Sequence, residues 1–150
     1  MRFGIIAYID GGARGNPGPA GYGVRIEAPG GALLDEIHGA LGVATNNVAE
    51  YNGLLAALRW ALAHGERDVH VRADSELLVK QMRGEYKVKH PGLQPLYLQA
   101  RGLVDRIGHV TFEHVRREQN KDADRLSNLG MDEAEEQMKA EGKRQKAEKP

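Results

Sequence analysis

Four carboxylates in this sequence stand where an acid is costly. Asp10 closes residues 3–10, FGIIAYID, a run that is otherwise apolar or aromatic. Asp74 closes a second short run at 69–73. Glu50 lies four residues before Leu54 and eight before Leu58, so on a helix it shares their stripe and points toward the core. Asp124 follows Ala123 by one residue and precedes Leu126 by two, in the first turn of a final helix and close to its inward face. Charged groups are rarely buried unless paired or bound to metal. Clustered carboxylates repel one another and raise each other's pKa. A hard divalent cation removes that penalty, and Mg²⁺ prefers carboxylate oxygen and water. Four acids could hold two such ions about 4 Å apart, one on each side of a phosphate. Taken singly, each acid could equally cap a helix, end a strand at the surface or pair with a base. Periodicity alone does not make the four meet.

The elements that must position them follow from pattern and punctuation. The run at 3–10 reads as a strand buried on both faces. Residues 11–19, GGARGNPGP, are turn chemistry. Segments 21–28 and 32–40 alternate around Pro29-Gly30-Gly31, a hairpin signal, so the first three strands form an antiparallel meander. Thr45-Asn46-Asn47 offers N-caps for a helix through about residue 64, with Gly65 as its stop. A strand at 69–73, helices at 76–83 and 93–107, a strand at 110–115 and a helix from about 120–122 complete the order β-β-β-α-β-α-α-β-α. That order calls for an α/β fold, a mixed sheet with helices packed on it. After Asn128 the composition shifts to five Lys/Arg and six acids within 131–150, which reads as a charged C-terminal tail, a frayed helix or disorder beyond a domain of residues 1–129.

The chain has 150 residues, enough for one domain with a real core. It has no cysteine, which excludes a disulfide framework, a thiolate zinc site and a cysteine nucleophile. Lys+Arg and Asp+Glu number 21 each, so nucleic-acid binding by bulk charge is disfavoured and any such binding must come from local patches. The apolar runs are too short for a membrane helix, and residues 1–30 lack the pattern of an export signal, so a cytoplasmic protein is expected.

Four blocks carry a family resemblance: YIDGGARGNPGPAGYG (8–23), TNNVAEYNGLLAAL (45–58), RADSELLVKQM (72–82) and REQNKDADRLSN (117–128). In this order, each with its acid, they resemble ribonuclease H of type I. The resemblance implies the ribonuclease H-like fold, a five-stranded mixed sheet whose first three strands are antiparallel, flanked by helices. It implies that Asp10, Glu50, Asp74 and Asp124 bind two Mg²⁺ (or Mn²⁺) and hydrolyse the RNA strand of an RNA–DNA hybrid, leaving 5′-phosphate and 3′-hydroxyl ends. Asp10 is expected to bridge both ions. By the same resemblance, the backbone of Gly11, Gly12 and Ala13 and the side chains of Asn46, Asn47 and Glu50 lie along the minor groove. Asn16 and Thr45 take the position of nucleic-acid backbone contacts. A monomer, with no membrane partner, is expected.

The sequence also departs from the family pattern. The basic, Trp-bearing handle of some relatives is reduced here to a short connector with Arg83, Lys87, Lys89 and His90, and Trp60 lies elsewhere. Glu27 stands where some relatives carry a phosphate-binding Arg, and Arg25 is the candidate to compensate. His114 has the spacing of an auxiliary base, ten residues before the last acid, but the compact connection favours Arg117 for assisting product release. Rival readings are a hybrid- or double-stranded-RNA-binding module with weak or broadened cleavage, another nuclease of the superfamily, and a non-enzymatic scaffold. The scaffold leaves an inward Glu50 unexplained.

Overall fold

The chain is described from a computed structural model, which covers residues 4–148. β1 (Ile5–Ala13), β2 (Gly18–Glu27) and β3 (Leu33–Ala44) form the expected antiparallel meander. Gly31 supplies a φ of +94° in the turn between β2 and β3, a conformation that favours glycine. β4 (Asp68–Ala73) and β5 (His109–His114) then add in parallel on the other side of β1, giving the order β3-β2-β1-β4-β5. β1 is therefore central, and strand order reverses beside it. Ligands gather at such switch points, outside the carboxyl ends of the parallel strands.

Helices α1 (Asn46–Ala63), α2 (Glu76–Met82) and α3 (Gln94–Ile107) follow the expected pattern to within a residue or two. Thr45 caps α1 by accepting from the Val48 N–H at 3.2 Å, and Ser75 caps α2 by accepting from the Leu78 N–H at 3.2 Å. The core forms where Ile5, Ala7, Ile9, Val24, Val69 and Val71 of the sheet meet Tyr51, Leu54, Leu55 and Leu58 of α1. α4 (Lys121–Glu148) crosses β2, β3 and β1. No helix among the described residues is long and apolar enough to cross a membrane.

Two expectations need correction. β1 does not stop at Asp10. It runs through Gly11, Gly12 and Ala13, paired with Tyr22, Gly21 and Ala20, because a partner strand supplies hydrogen bonds that local turn propensity cannot outweigh. The change of composition after Asn128 does not end the ordered structure either. α4 continues unbroken past it, with Met131 8% and Ala134 0% exposed. The two residues lie three apart on one face of a helix otherwise rich in charge, so the apolar signal in the sequence is sparse though sufficient. Residues 149–150 of that segment lie outside the described residues.

Candidate active site

Strand register brings the first two acids together. Ile9 of β1 pairs with Ala73 of β4, so the next residues, Asp10 and Asp74, stand side by side. Glu50 comes from the first turns of α1. That helix can approach because Gly11 has no side chain: a Cβ there would collide with the Ala49 carbonyl and the Glu50 nitrogen. Asp124 comes from the first turn of α4. Gly23, the cross-strand partner of Asp10, is what α4 rests on, and a Cβ there would lie 2.5 Å from both the Leu126 Cβ and the Ser127 nitrogen. Two missing side chains thus set the two helices that deliver two of the acids.

The result is a cleft whose lining includes Asp10, Glu50, Asp74 and Asp124. One carboxylate oxygen each from Asp10, Glu50 and Asp74 lies within 4.8 Å of the others. Asp10 is 8% exposed, and burial, followed by the Asp74 charge, pushes its carboxyl up to about 8, against the Gly11 N–H that favours the charged form. Asp124 beside it adds to the rise. Burial also raises Glu50 to about 7, with a smaller push from Asp74. Around them, the Asn120 side chain donates to the Ile9 carbonyl at 2.8 Å and lies 3.4 Å from Asp74 Oδ2. Carboxylates crowded in this way could hold a hard divalent cation, which takes oxygen donors.

A family profile described as reverse transcriptase-like matches residues 8–130. A solved protein, LC11-RNase H1 in complex with an RNA/DNA hybrid, is 45% identical, with a TM-score of 0.82 over 87% of this chain and 98% of its own. The chain belongs to the ribonuclease H family. Over 131 residues it is also 48% identical to the bifunctional protein Rv2228c of Mycobacterium tuberculosis, covering 87% of this chain but only 36% of that protein. The chain thus spans about a third of the length of that relative. The solved N-terminal RNase H domain of the same mycobacterial protein superposes with a TM-score of 0.87 at 45% identity, over 91% of this chain and 99% of that one.

Against the ribonuclease H pattern, the remaining candidates divide. Gly11, Gly12, Ala13, Asn46 and Arg117 line the cleft, whereas Asn16, Thr45, Asn47 and His114 do not. Asn46 Oδ1 accepts from the Ala13 N–H at 2.8 Å, and Asn16 Oδ1 accepts from the Asn46 N–H at 3.0 Å, so both asparagines hold the strand end against α1. The His114 ring sits 3.2 Å from the Asp74 carbonyl oxygen. Arg25 is not free to replace the missing arginine at position 27. It pairs with Glu27 at 2.7 Å and lies within 4 Å of Glu36 and Asp122. Arg83 is likewise engaged, donating to the Phe112 carbonyl at 2.6 and 3.0 Å. Residues not singled out from the sequence also line the cleft: Arg14, Ser127, Asn128 and Met131. The (i, i+3) spacing of Ser127 from Asp124 was the available signal for the first of the helical ones.

Proposed function

We propose that the chain is a metal-dependent endoribonuclease that hydrolyses the RNA strand of RNA–DNA hybrids, leaving 5′-phosphate and 3′-hydroxyl ends. The observation that carries this is the meeting of Asp10, Glu50 and Asp74 within 4.8 Å, from β1, α1 and the residue after β4, in a cleft shared with Asp124. The donors are all carboxylate oxygens, which suits Mg²⁺ or Mn²⁺. Asp10, the central acid, together with Glu50, Asp74 and Asp124, would hold the ions. Bound there, the ions would acidify an attacking water and offset the charge developing on the phosphate and the leaving 3′-oxygen.

The chain's own part is positioning. The Gly11-Gly12-Ala13 edge allows close approach of a ribose, whose 2′-hydroxyl separates RNA from DNA. Asn46 keeps its amide nitrogen for the substrate, since its oxygen is engaged by Ala13. Arg117 would assist release of the cleaved strand, a role supported by its place in the cleft lining. The hybrid bound by LC11-RNase H1 supports a hybrid as substrate here. The chain would act as a monomer in the cytoplasm.

The test is an assay on matched RNA–DNA, RNA–RNA and DNA–DNA duplexes with Mg²⁺, Mn²⁺ or EDTA. Cleavage of the hybrid's RNA strand with metal and none with EDTA is expected. Equal cleavage in EDTA, or cutting confined to DNA, sinks the proposal, and cutting of RNA–RNA as well widens the substrate class. On the hybrid, Arg117→Ala should slow turnover more than His114→Ala, and the reverse order reassigns the auxiliary role.

A further inference from the structure

Against the acid cluster lies a buried hydroxyl that two acceptors share. Ser127 is 1% exposed. Its Oγ lies 3.2 Å from Asp10 Oδ2 and 2.8 Å from the Asp124 carbonyl oxygen. A hydroxyl carries one proton, so it serves one acceptor at a time. The Asp124 carbonyl does not depend on it, because the Asn128 side chain donates there at 2.9 Å. Asp10 is in the opposite position. The side chains of Glu50, Asp74 and Asp124 around it are carboxylates, acceptors when ionised; Asp124 is within hydrogen-bond reach of Asp10 only while one of the two carries a proton, and the neighbouring Gly11 N–H is the standing donor. The final torsion of an aspartate is broad, so a carboxylate without an anchored oxygen swings.

We propose that Ser127 is a positioning residue for Asp10: its hydroxyl anchors one carboxylate oxygen and so holds the remaining lone pairs ready for divalent cations. The placement is built into the fold. Ser127 follows Asp124 by three residues on α4, so both face the same way. Gly23, paired with Asp10 across the strands, lets the backbone of α4 close to the distance at which the hydroxyl reaches. Ser127 itself need touch neither metal nor substrate. Groups that orient metal ligands in this way typically change metal affinity or activity by about 10–100-fold when removed.

The inference rests on the metal-binding reading, and the experiment separates the two. The parent protein, Ser127→Ala and Ser127→Thr are titrated with Mn²⁺ and with Mg²⁺, following calorimetric binding and the metal-induced rise in melting temperature, with no substrate present. The parent is expected to respond. Ser127→Ala should need about tenfold more metal for half-saturation, and Ser127→Thr, which keeps the hydroxyl, should stay near the parent. On the hybrid, the activating Mg²⁺ concentration should rise in Ser127→Ala while turnover at saturating Mg²⁺ changes less. A parent that binds neither ion removes the metal reading itself. A parent that binds while Ser127→Ala titrates identically overturns the inference alone. Equal losses in Ala and Thr assign the effect to packing and overturn it too. If Ser127→Ala fails to fold, Ser127→Thr decides: parent-like titration supports the hydroxyl's role, and a tenfold weaker midpoint overturns it.

Discussion

Asp10 is unstable by design at the scale of a single residue. Its carboxyl sits at about 8 when folded against an ordinary 3.8, and Glu50 at about 7 against 4.5. Between those limits the folded chain holds protons that the unfolded chain has released. The stability these two groups contribute is therefore complete below pH 4 and is lost as pH rises through 7 and 8. In EDTA, the melting temperature of the parent should fall across that window, and Asp10→Asn should flatten the fall. At pH 8 the variant should melt a few degrees higher, since about 1 kcal/mol moves the midpoint of a domain this size by roughly 2–4 °C. The same variant should lose cleavage by more than about 100-fold, as a ligand should matter more than the groups that merely orient it. Scanning calorimetry from pH 4 to 9, paired with the hybrid assay, checks both, and parallel pH profiles in parent and variant would refute the assignment. Asp10, Glu50 and Asp74 were legible in the sequence because each sits on or closes an apolar pattern, and Asp124 because its block carries the family resemblance. Ser127 offered only its spacing from Asp124, because its value depends on a strand 117 residues away.

At the scale of elements, the sequence predicted helices and strands well because their apolar periods and caps are local. It did not predict which glycines serve as seats. Gly23 and Gly102 look alike in the sequence and differ in what surrounds them. Gly23 is pressed against α4 at Leu126 and Ser127, whereas nothing lies within 4 Å of where a Cβ would stand on Gly102, within α3. Gly23→Ala should therefore force α4 outward and destabilise by about 1–3 kcal/mol, as overpacking does. It should also weaken metal binding, since Asp124 and Ser127 move with the helix. Gly102→Ala should stabilise by about 0.5–1 kcal/mol through helix propensity. Urea unfolding of the two variants gives opposite signs if the seat is real, and a neutral Gly23→Ala would refute it. The misplaced end of β1 has the same origin. Gly11 and Gly12 read as a turn until a partner strand and a helix are laid against them.

At the scale of the whole molecule, the question is where the working unit ends. Composition drew a line after residue 129, but the physical contacts run further. Met131 and Ala134 are buried, and Arg14, in the cleft lining, pairs with Asp132 at 2.6 Å and Glu135 at 3.1 Å. Arg14 follows the Gly11-Gly12-Ala13 edge, so α4 past Asn128 braces the strand end that lines the cleft. From residue 135 to 144 the helix is largely exposed, and Met138 is 40% exposed. Two truncations separate the parts. A chain of residues 1–139 keeps the buried pair and both acids that hold Arg14, and should match the parent in stability and hybrid cleavage. A chain of residues 1–130 loses them, and should be destabilised by roughly 2–4 kcal/mol, from a buried methionine and the small apolar contact beside it. Its KM for the hybrid should rise more than its kcat falls, because Arg14 is loosened while the carboxylates stay on β1, α1, the residue after β4 and the first turn of α4. Equal stability and KM in the two truncations would place the boundary back at 129 and make the rest of α4 dispensable.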